Sequence, residues 1–302
     1  MATYQTYQMI GIKEDISDVI TNITPRKTPF QSMLKSEKIT QRLFQWQEDS
    51  LRAVGTNAQV EGADASYITV NPTVMRNNYA QIMTEAVQVS GTAEVVSTYG
   101  RAKEMAYQMA KSAAQVKRDL ENALVGTAQT SAAGNASTAS SLAGAQQMVV
   151  SGNITYTGSG ATALSEAFLL TALQAAYTAG AEPSRIFVTP SNSVILAGFA
   201  AAAGRYRTID TGSSSKGTIV NVVNLYVSPF GETKVEINRF QKAKNTFIID
   251  PDMWSLPTLR PWTRESLAKT GDSIKQMIVG EFSLKHKNYS AAAMVVEAAS
   301  GF

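Results

Sequence analysis

From Val95 to Leu124 apolar side chains recur every three or four residues: Val95, Tyr99, Ala102, Met105, Met109, Ala113, Val116, Leu120 and Leu124. That spacing places them on one face of an α-helix, whereas a half-buried strand would alternate. The pattern predicts a single helix from about Val95 to Val125, about 45 Å long at 1.5 Å per residue, closed by Gly126. A helix well above the usual length serves as a spine against which other elements pack. Its opposite face carries Arg101, Lys103, Lys111, Lys117 and Arg118 beside Glu104, Asp119 and Glu121. This reads as a solvated face, or more sharply as one lying near DNA.

The segments around this helix differ in character. Ile12, Ile16, Val19 and Ile20 form a short helical pattern that stops at Thr24-Pro25 and again at Thr28-Pro29, as in an arm with a docked helix. From Phe44 to Val89 the chain reads as a long β-hairpin-like excursion, with Gly55, Gly62, Pro72 and the alternation Met83, Glu85, Val87, Val89. Its tip, Arg52 to Ala65, is polar and glycine-bearing, so it gains order only against a partner. Thr127 to Ala163 includes TSAAGNASTASS, a composition that builds no core alone and reads as a loop or insertion.

An α/β piece follows. It comprises an amphipathic helix through Leu164, Phe168, Leu169, Ala172, Leu173 and Ala176, a strand Arg185 to Thr189, and an Ala-rich helix near Ser191 to Ala203. Further strands are expected at Thr218 to Val227, Thr233 to Asn238, Thr246 to Asp250, Gln276 to Leu284 and Ser290 to Glu297. Helices and strands in this mixture give an α+β chain without solenoid or propeller repeats.

The residues point away from catalysis. Cysteine is absent, which excludes disulfides and cysteine-based metal sites and fits a reducing compartment. The sole histidine, His286, lies between two lysines and reads as an exposed strand residue, so neither a triad nor a two-histidine metal site can be assembled. Glu48-Asp49, Glu61 with Asp64, and Asp250 with Asp252 show nothing of carboxylates facing across a substrate; Asp250-Pro251-Asp252 is a turn after a strand. TGSSSKG (Thr211 to Gly217) lacks the spacing of a phosphate loop. Trp46, Trp254 and Trp262 read as packing anchors.

No signal-peptide pattern and no membrane-length apolar run appear, so the sequons at Asn22, Asn135, Asn153 and Asn288 have no expected use. Charged residues make up 17 %, against about a quarter in typical domains, which suits a surface buried in many interfaces and equally a low-charge monomer. The net charge of +3 tolerates a nucleic-acid neighbour without indicating a dedicated reader of one.

Several segments, in this order, carry a family resemblance: ITPRKTPFQSML (Ile23 to Leu34), FQWQEDSL (Phe44 to Leu51), EGADA (Glu61 to Ala65), VSGT (Val89 to Thr92) and the long run from Ile248 to Asn288. Together with the succession of arm, excursion, spine helix, α/β piece and returning sheet, they resemble tailed-bacteriophage major capsid proteins of the Hong Kong 97-type fold. The resemblance spans nearly the whole chain and is weakest over Thr127 to Ala163. It implies an N-arm at 1–45, an extended β-hairpin loop at 46–91, a peripheral domain at 92–162 with spine helix 95–125, an axial α/β domain at 163–235, and a return to the peripheral domain at 236–302.

It further implies a structural subunit without catalytic residues, cofactor or metal, which binds itself as hexamers and pentamers of an icosahedral head around double-stranded DNA. Contacts between subunits are expected at Arg52, Gly55, Asn57, Glu61 and Asp64 of the loop and Pro25 and Phe30 of the arm. Lys103, Lys111 and Arg118 are expected to face packaged DNA, without sequence preference. Some members of the fold weld their shells through a loop lysine, but no lysine lies between Lys38 and Lys103 here, so a non-covalent shell is expected. No long polar helical extension precedes the arm, which implies a separate scaffolding protein. A portal protein is a further expected partner, as is a cement or decoration protein touching Thr127 to Ala163 or Arg205 to Gly217; no membrane is involved. The expected location is the virion, after assembly in the bacterial host cytoplasm. Two other readings stand beside this one: another phage structural part, such as a tail-tube or decoration protein, and an intracellular enzyme.

Overall fold

The computed structural model describes residues 24–65, 67–98, 100, 102–158, 163–202 and 224–298. In chain order these form α1 (Pro29–Met33), β1 (Lys35–Lys38), β2 (Leu43–Glu48), β3 (Val74–Tyr79), β4 (Gln81–Ser90), α2 (Gly91–Val95), α3 (Glu104–Glu121), β5 (Ile154–Tyr156), α4 (Glu166–Thr178), β6 (Arg185–Val188), α5 (Pro190–Ala202), β7 (Leu225–Ser228) and β8 (Gly231–Ile237). The chain closes with β9 (Asn245–Ile249), β10 (Trp254–Ser266), β11 (Ser273–Phe282), β12 (Lys285–His286) and β13 (Ala292–Val296). One sheet has the order β1-β10-β11-β4, with β12 on β10; a second has the order β5-β13-β9-β6-β8-β7; β2 and β3 form a separate pair. The longest ladder is antiparallel and runs from Gln81 opposite Phe282 to Ser90 opposite Ser273.

At the centre of the second sheet, β9 and β13 are buried on both faces, and their residues show why. Phe247, Ile249, Met294 and Val296 enter one core with Leu120 and Leu124, while Ile248, Ala293 and Val295 enter another beneath α4. Alternate residues of β9 and β13 thus serve opposite cores, so both faces must be apolar and the strands read as continuous hydrophobic runs. On α4, Leu169, Ala172, Leu173 and Ala176 are buried, following the stripe that predicted the helix.

The spine helix is shorter than its periodicity suggests. The run divides into α2 and α3: Val96 turns extended at ψ 133, Gly100 adopts the left-handed φ +74, and the helix restarts at Glu104. Val95 ends α2 and is exposed rather than part of the stripe. α3 spans 18 residues, about 27 Å, and buries Met105, Met109, Ser112, Val116, Leu120 and Glu121. The chain then widens into a π turn, Asn122–Gly126, ending where sequence predicts. A Cβ on Gly126 would lie 2.6 Å from the carbonyl of Phe240, so the close approach there requires glycine.

The reading of other segments also changes. The stretch Thr127 to Ala163 is not merely a surface loop: Leu142, Ala145 and Met148 are fully buried in the main core, and Ile154–Tyr156 pairs with β13. Its low-complexity composition masks the few apolar residues that dock. β10 was not among the expected strands; it carries Pro257 and Pro261, which lack backbone donors, and its ladder with β11 shifts register around Arg260. Apart from these changes, the strands of 236–302 contribute to both sheets, β9 and β13 to the second and β10 to β12 to the first. The expected helix at Ile12 to Ile20, and the segment Arg205 to Gly217, lie outside the described residues.

Candidate assembly interface

The excursion rises from the β2–β3 pair, where Leu43 faces Tyr79 and Glu48 faces Val74. Arg76 reaches across the pair to Glu48 at 2.7 Å and lays its guanidinium 4.3 Å above the Tyr289 ring. Trp46 is buried at this base. From Asp49 to Thr73 the described backbone has no ladder partner; Gly62, at φ +77, turns the tip while Ala63 N–H closes onto the Val60 carbonyl at 3.0 Å. Arg52, Gly55, Asn57, Glu61 and Asp64 are all exposed here. So are Leu51, Val54, Val60, Tyr67, Ile68 and Val70, each at least 70 % exposed. The excursion is therefore less polar than its tip sequence suggested, and so many apolar side chains along one exposed segment mark an interaction surface.

The junction between excursion and body is a hub on Asn78, which is fully buried. Its amide donates to the Leu284 carbonyl at 2.7 Å, and its oxygen accepts from Ala143 N–H at 2.8 Å, Ser131 Oγ at 3.0 Å and its neighbour Tyr79 N–H. Ser140 Oγ donates to the Ala80 carbonyl, and Gln129 donates to Gln81. The segment after α3 thus braces the point where the excursion passes into β4. Residues 81–90, read from sequence as a limb of the excursion, belong to the first sheet. Nothing in the local sequence singled out Asn78, which follows Asn77 within β3.

The arm is held differently. Phe30, expected to touch a neighbouring subunit, is fully buried in its own chain and packs edge-on against Phe187 and Trp254 at 5.7 and 5.8 Å. The Glu121 carboxylate receives the N–H groups of Phe30 at 3.0 Å and Gln31 at 2.8 Å, and the Asn238 amide at 2.6 Å. Thr28 supplies no side-chain cap to α1, so Glu121 does the capping from 90 residues away. Burial raises its pKa, and the three donors offset that only in part. Sequence placed Glu121 on a solvated face, and its neighbours Leu120 and Leu124 were the only hint otherwise.

His286 is likewise inside, not exposed. Its ring stacks on Trp254 at 4.0 Å and nearly parallel to Tyr289 at 5.8 Å; Nδ1 donates to the Met148 carbonyl at 2.8 Å. Burial lowers its pKa to about 4, against the opposing pull of that hydrogen bond. The flanking lysines misled the sequence reading: Lys287 is exposed and Lys285 reaches Glu37 at 2.9 Å, while His286 between them turns inward. Phe30, Trp254, His286, Tyr289 and Trp46 form one continuous run of rings joining arm to excursion.

On the other side of α3, Pro25 is half-buried and lines a groove with Thr24, Arg26, Tyr107, Ala110, Lys111, Ala114, Gln115 and Arg118. Lys103 stands exposed at the helix N-terminus. Among the described residues no cluster could hold a metal ion, and no helix is long and apolar enough to cross a membrane.

The comparisons with known proteins agree with this architecture. A family model described as SU10 major capsid protein matches residues 1–299. The major capsid protein of Escherichia phage Phieco32 is 29 % identical over 349 aligned positions, covering 98 % of this chain and 97 % of that protein. The cyanophage A-1(L) capsid has a TM-score of 0.69 at 12 % identity, over 96 % of this chain and 98 % of that one. The capsid of a native GTA particle reaches 0.65 at 11 % identity, over 97 % and 96 %. At such identities these structures speak for the fold alone, which is the Hong Kong 97-type α+β fold of phage capsids. Fold and full-length family match together place the chain in the SU10 major capsid protein family, as a phage major capsid protein and virion component.

Proposed function

We propose that the chain assembles with copies of itself, as hexamers and pentamers, into the icosahedral head that encloses double-stranded DNA, and that the shell is held without covalent cross-links. The observation that carries this is the excursion 49–73, whose six exposed apolar side chains are mounted on a braced base. Leaving them in water costs about 25 cal/mol per Å², a cost removed when a neighbour covers them. Arg52, Asn57, Glu61 and Asp64 supply polar side chains on the same strip beside Gly55, and Pro25 adds an apolar contact from the arm. In this reading 1–45 is the arm and 46–91 the loop with the start of the first sheet. That sheet with α3 is the peripheral unit, and the second sheet with α4 and α5 is the axial one.

The missing loop lysine removes the amine that an isopeptide bond would need. Of the three cations of α3 expected near packaged DNA, Lys103 is exposed at the helix N-terminus and meets phosphates without reading bases, whereas Lys111 and Arg118 line the groove beside the arm. A scaffolding protein, a portal protein and a cement protein complete the set of partners, and assembly takes place in the host cytoplasm. No catalytic role is assigned: the sole histidine is occupied in a ring stack.

Electron microscopy of the chain expressed with its phage partners tests the reading. Polyhedral shells or capsomer rings are expected, and boiled particles should run at the 32.4 kDa monomer. Tubes, isolated monomers or heavier covalent ladders would contradict it.

A further inference from the structure

The groove between arm and α3 encloses about 500 Å³ and is lined by Arg26, Lys111 and Arg118. None of the three has an ion-pair partner among the described residues. Arg118 stacks on Phe240 at 5.6 Å, and its Nε is buried with no hydrogen-bond partner. Tyr107, Lys111, Ala114 and Arg118 stand at i, i+4, i+7 and i+11, so the cations lie along one stripe of the helix, about 10 Å apart. Ala110, Ala114 and Pro25 give this stripe a small, apolar floor. A buried, unpartnered guanidinium edge over such a floor calls for a ligand both acidic and apolar.

We propose that the chain's own N-terminal segment Ile12 to Ile20, IKEDISDVI, docks in this groove. The segment lies outside the described residues, and its sequence supplies what the groove lacks. Drawn as a helix, it places Ile12, Asp15, Asp18 and Val19 along one edge, with Glu14 next to Asp18. Its formal charge is −2 against +3 in the groove. Ile12 and Val19 meet the alanine floor while Asp15 and Asp18 meet Lys111 and Arg118. Only residues 21–23 separate the segment from Thr24, itself a wall of the groove, so docking within one chain has an effective concentration on the order of millimolar.

Duplex DNA is a stiff rod, with a persistence length of about 150 bp, whose phosphates meet projecting side chains and not a recessed Nε. Docking therefore narrows the DNA-facing set on α3 to Lys103. The inference concerns a single chain and holds whether or not that chain closes shells.

The absence of cysteine makes the test direct. Val19→Cys with Ala114→Cys, in the full-length chain, keeps every charge. Mild oxidation is expected to give a disulfide within one chain, seen as a single-chain band without free thiols, whereas Val19→Cys with Thr84→Cys on β4 stays reduced. Adding Lys111→Glu and Arg118→Glu is expected to lower the yield about tenfold, as for the loss of two partly buried ion pairs. Asp15→Lys with Asp18→Lys in that background should restore it, which a merely structural role would not. Disulfides formed only between chains would overturn the proposal by assigning the groove to a neighbour. So would the absence of any link, a yield insensitive to charge reversal, or charge reversal that weakens binding of a DNA duplex while leaving the link intact.

Discussion

The carboxylate of Glu121, at the end of α3, accepts the backbone N–H of Phe30 at 3.0 Å, and through this bond the arm is fastened to the spine helix. Removing it as Glu121→Ala leaves buried donors on Phe30, Gln31 and Asn238, at about 1–3 kcal/mol for each one that water cannot reach. The variant is expected to lose about 2–4 kcal/mol in total. Phe30→Ala should cost about 3–5 kcal/mol through its cavity. Urea unfolding reads the stability. Trypsin cleavage after the exposed Arg26 and Lys27 reads arm release and should accelerate in both variants. Unchanged cleavage would remove Glu121 from this role.

His286 sets a pH dependence. The unfolded imidazole takes up a proton near pH 6.5, whereas burial delays this to about pH 4 in the fold. Above pH 6.5 both states are neutral and nothing changes. As pH falls through the window, the unfolded chain binds a proton that the fold refuses, and stability declines by about 3 kcal/mol. In His286→Phe, which keeps a ring against Trp254, the loss between pH 6.5 and 4 should be smaller by that amount in urea titrations. Parallel slopes for variant and parent would count against it.

Asn78 uses both ends of its amide. Asn78→Asp turns an acceptor toward the Leu284 carbonyl and leaves two lone-pair-bearing groups facing one another. A loss of about 2–4 kcal/mol is expected. Hydrogen exchange should quicken at Tyr79 and Ala143, whose N–H groups bond to this side chain. Protection unchanged at both amides would show that the brace does not depend on it.

The apolar side chains of the excursion predict a separation of folding from assembly. Leu51→Ser with Val54→Ser touches residues without contacts in their own chain, so the melting temperature should stay within the effect of about 0.5 kcal/mol usual for surface changes. Shell formation, followed by light scattering and electron microscopy, should fall sharply. Normal shells from this variant would place the self-contact elsewhere.

Much of the architecture was legible because it is local. The three-and-four spacing from Met105 to Leu124, the α4 stripe, the apolar run of β13 and the Phe247–Ile249 run of β9 each depend on neighbours a few residues away. The lack of cysteine and of a loop lysine is also a property of the chain itself. Gly100 was visible too, but only the structure shows that the helix stops at Val95 and restarts at Glu104.

The tertiary structure alone decided the fate of polar groups, because burial of a charge or ring nitrogen turns on partners far along the chain. Glu121 meets Phe30 across 91 residues, His286 meets the Met148 carbonyl across 138, and Asn78 meets Leu284 across 206. By local pattern each of the three sits on a surface. Desolvation with satisfied hydrogen bonds, available only after distant segments converge, puts all three inside.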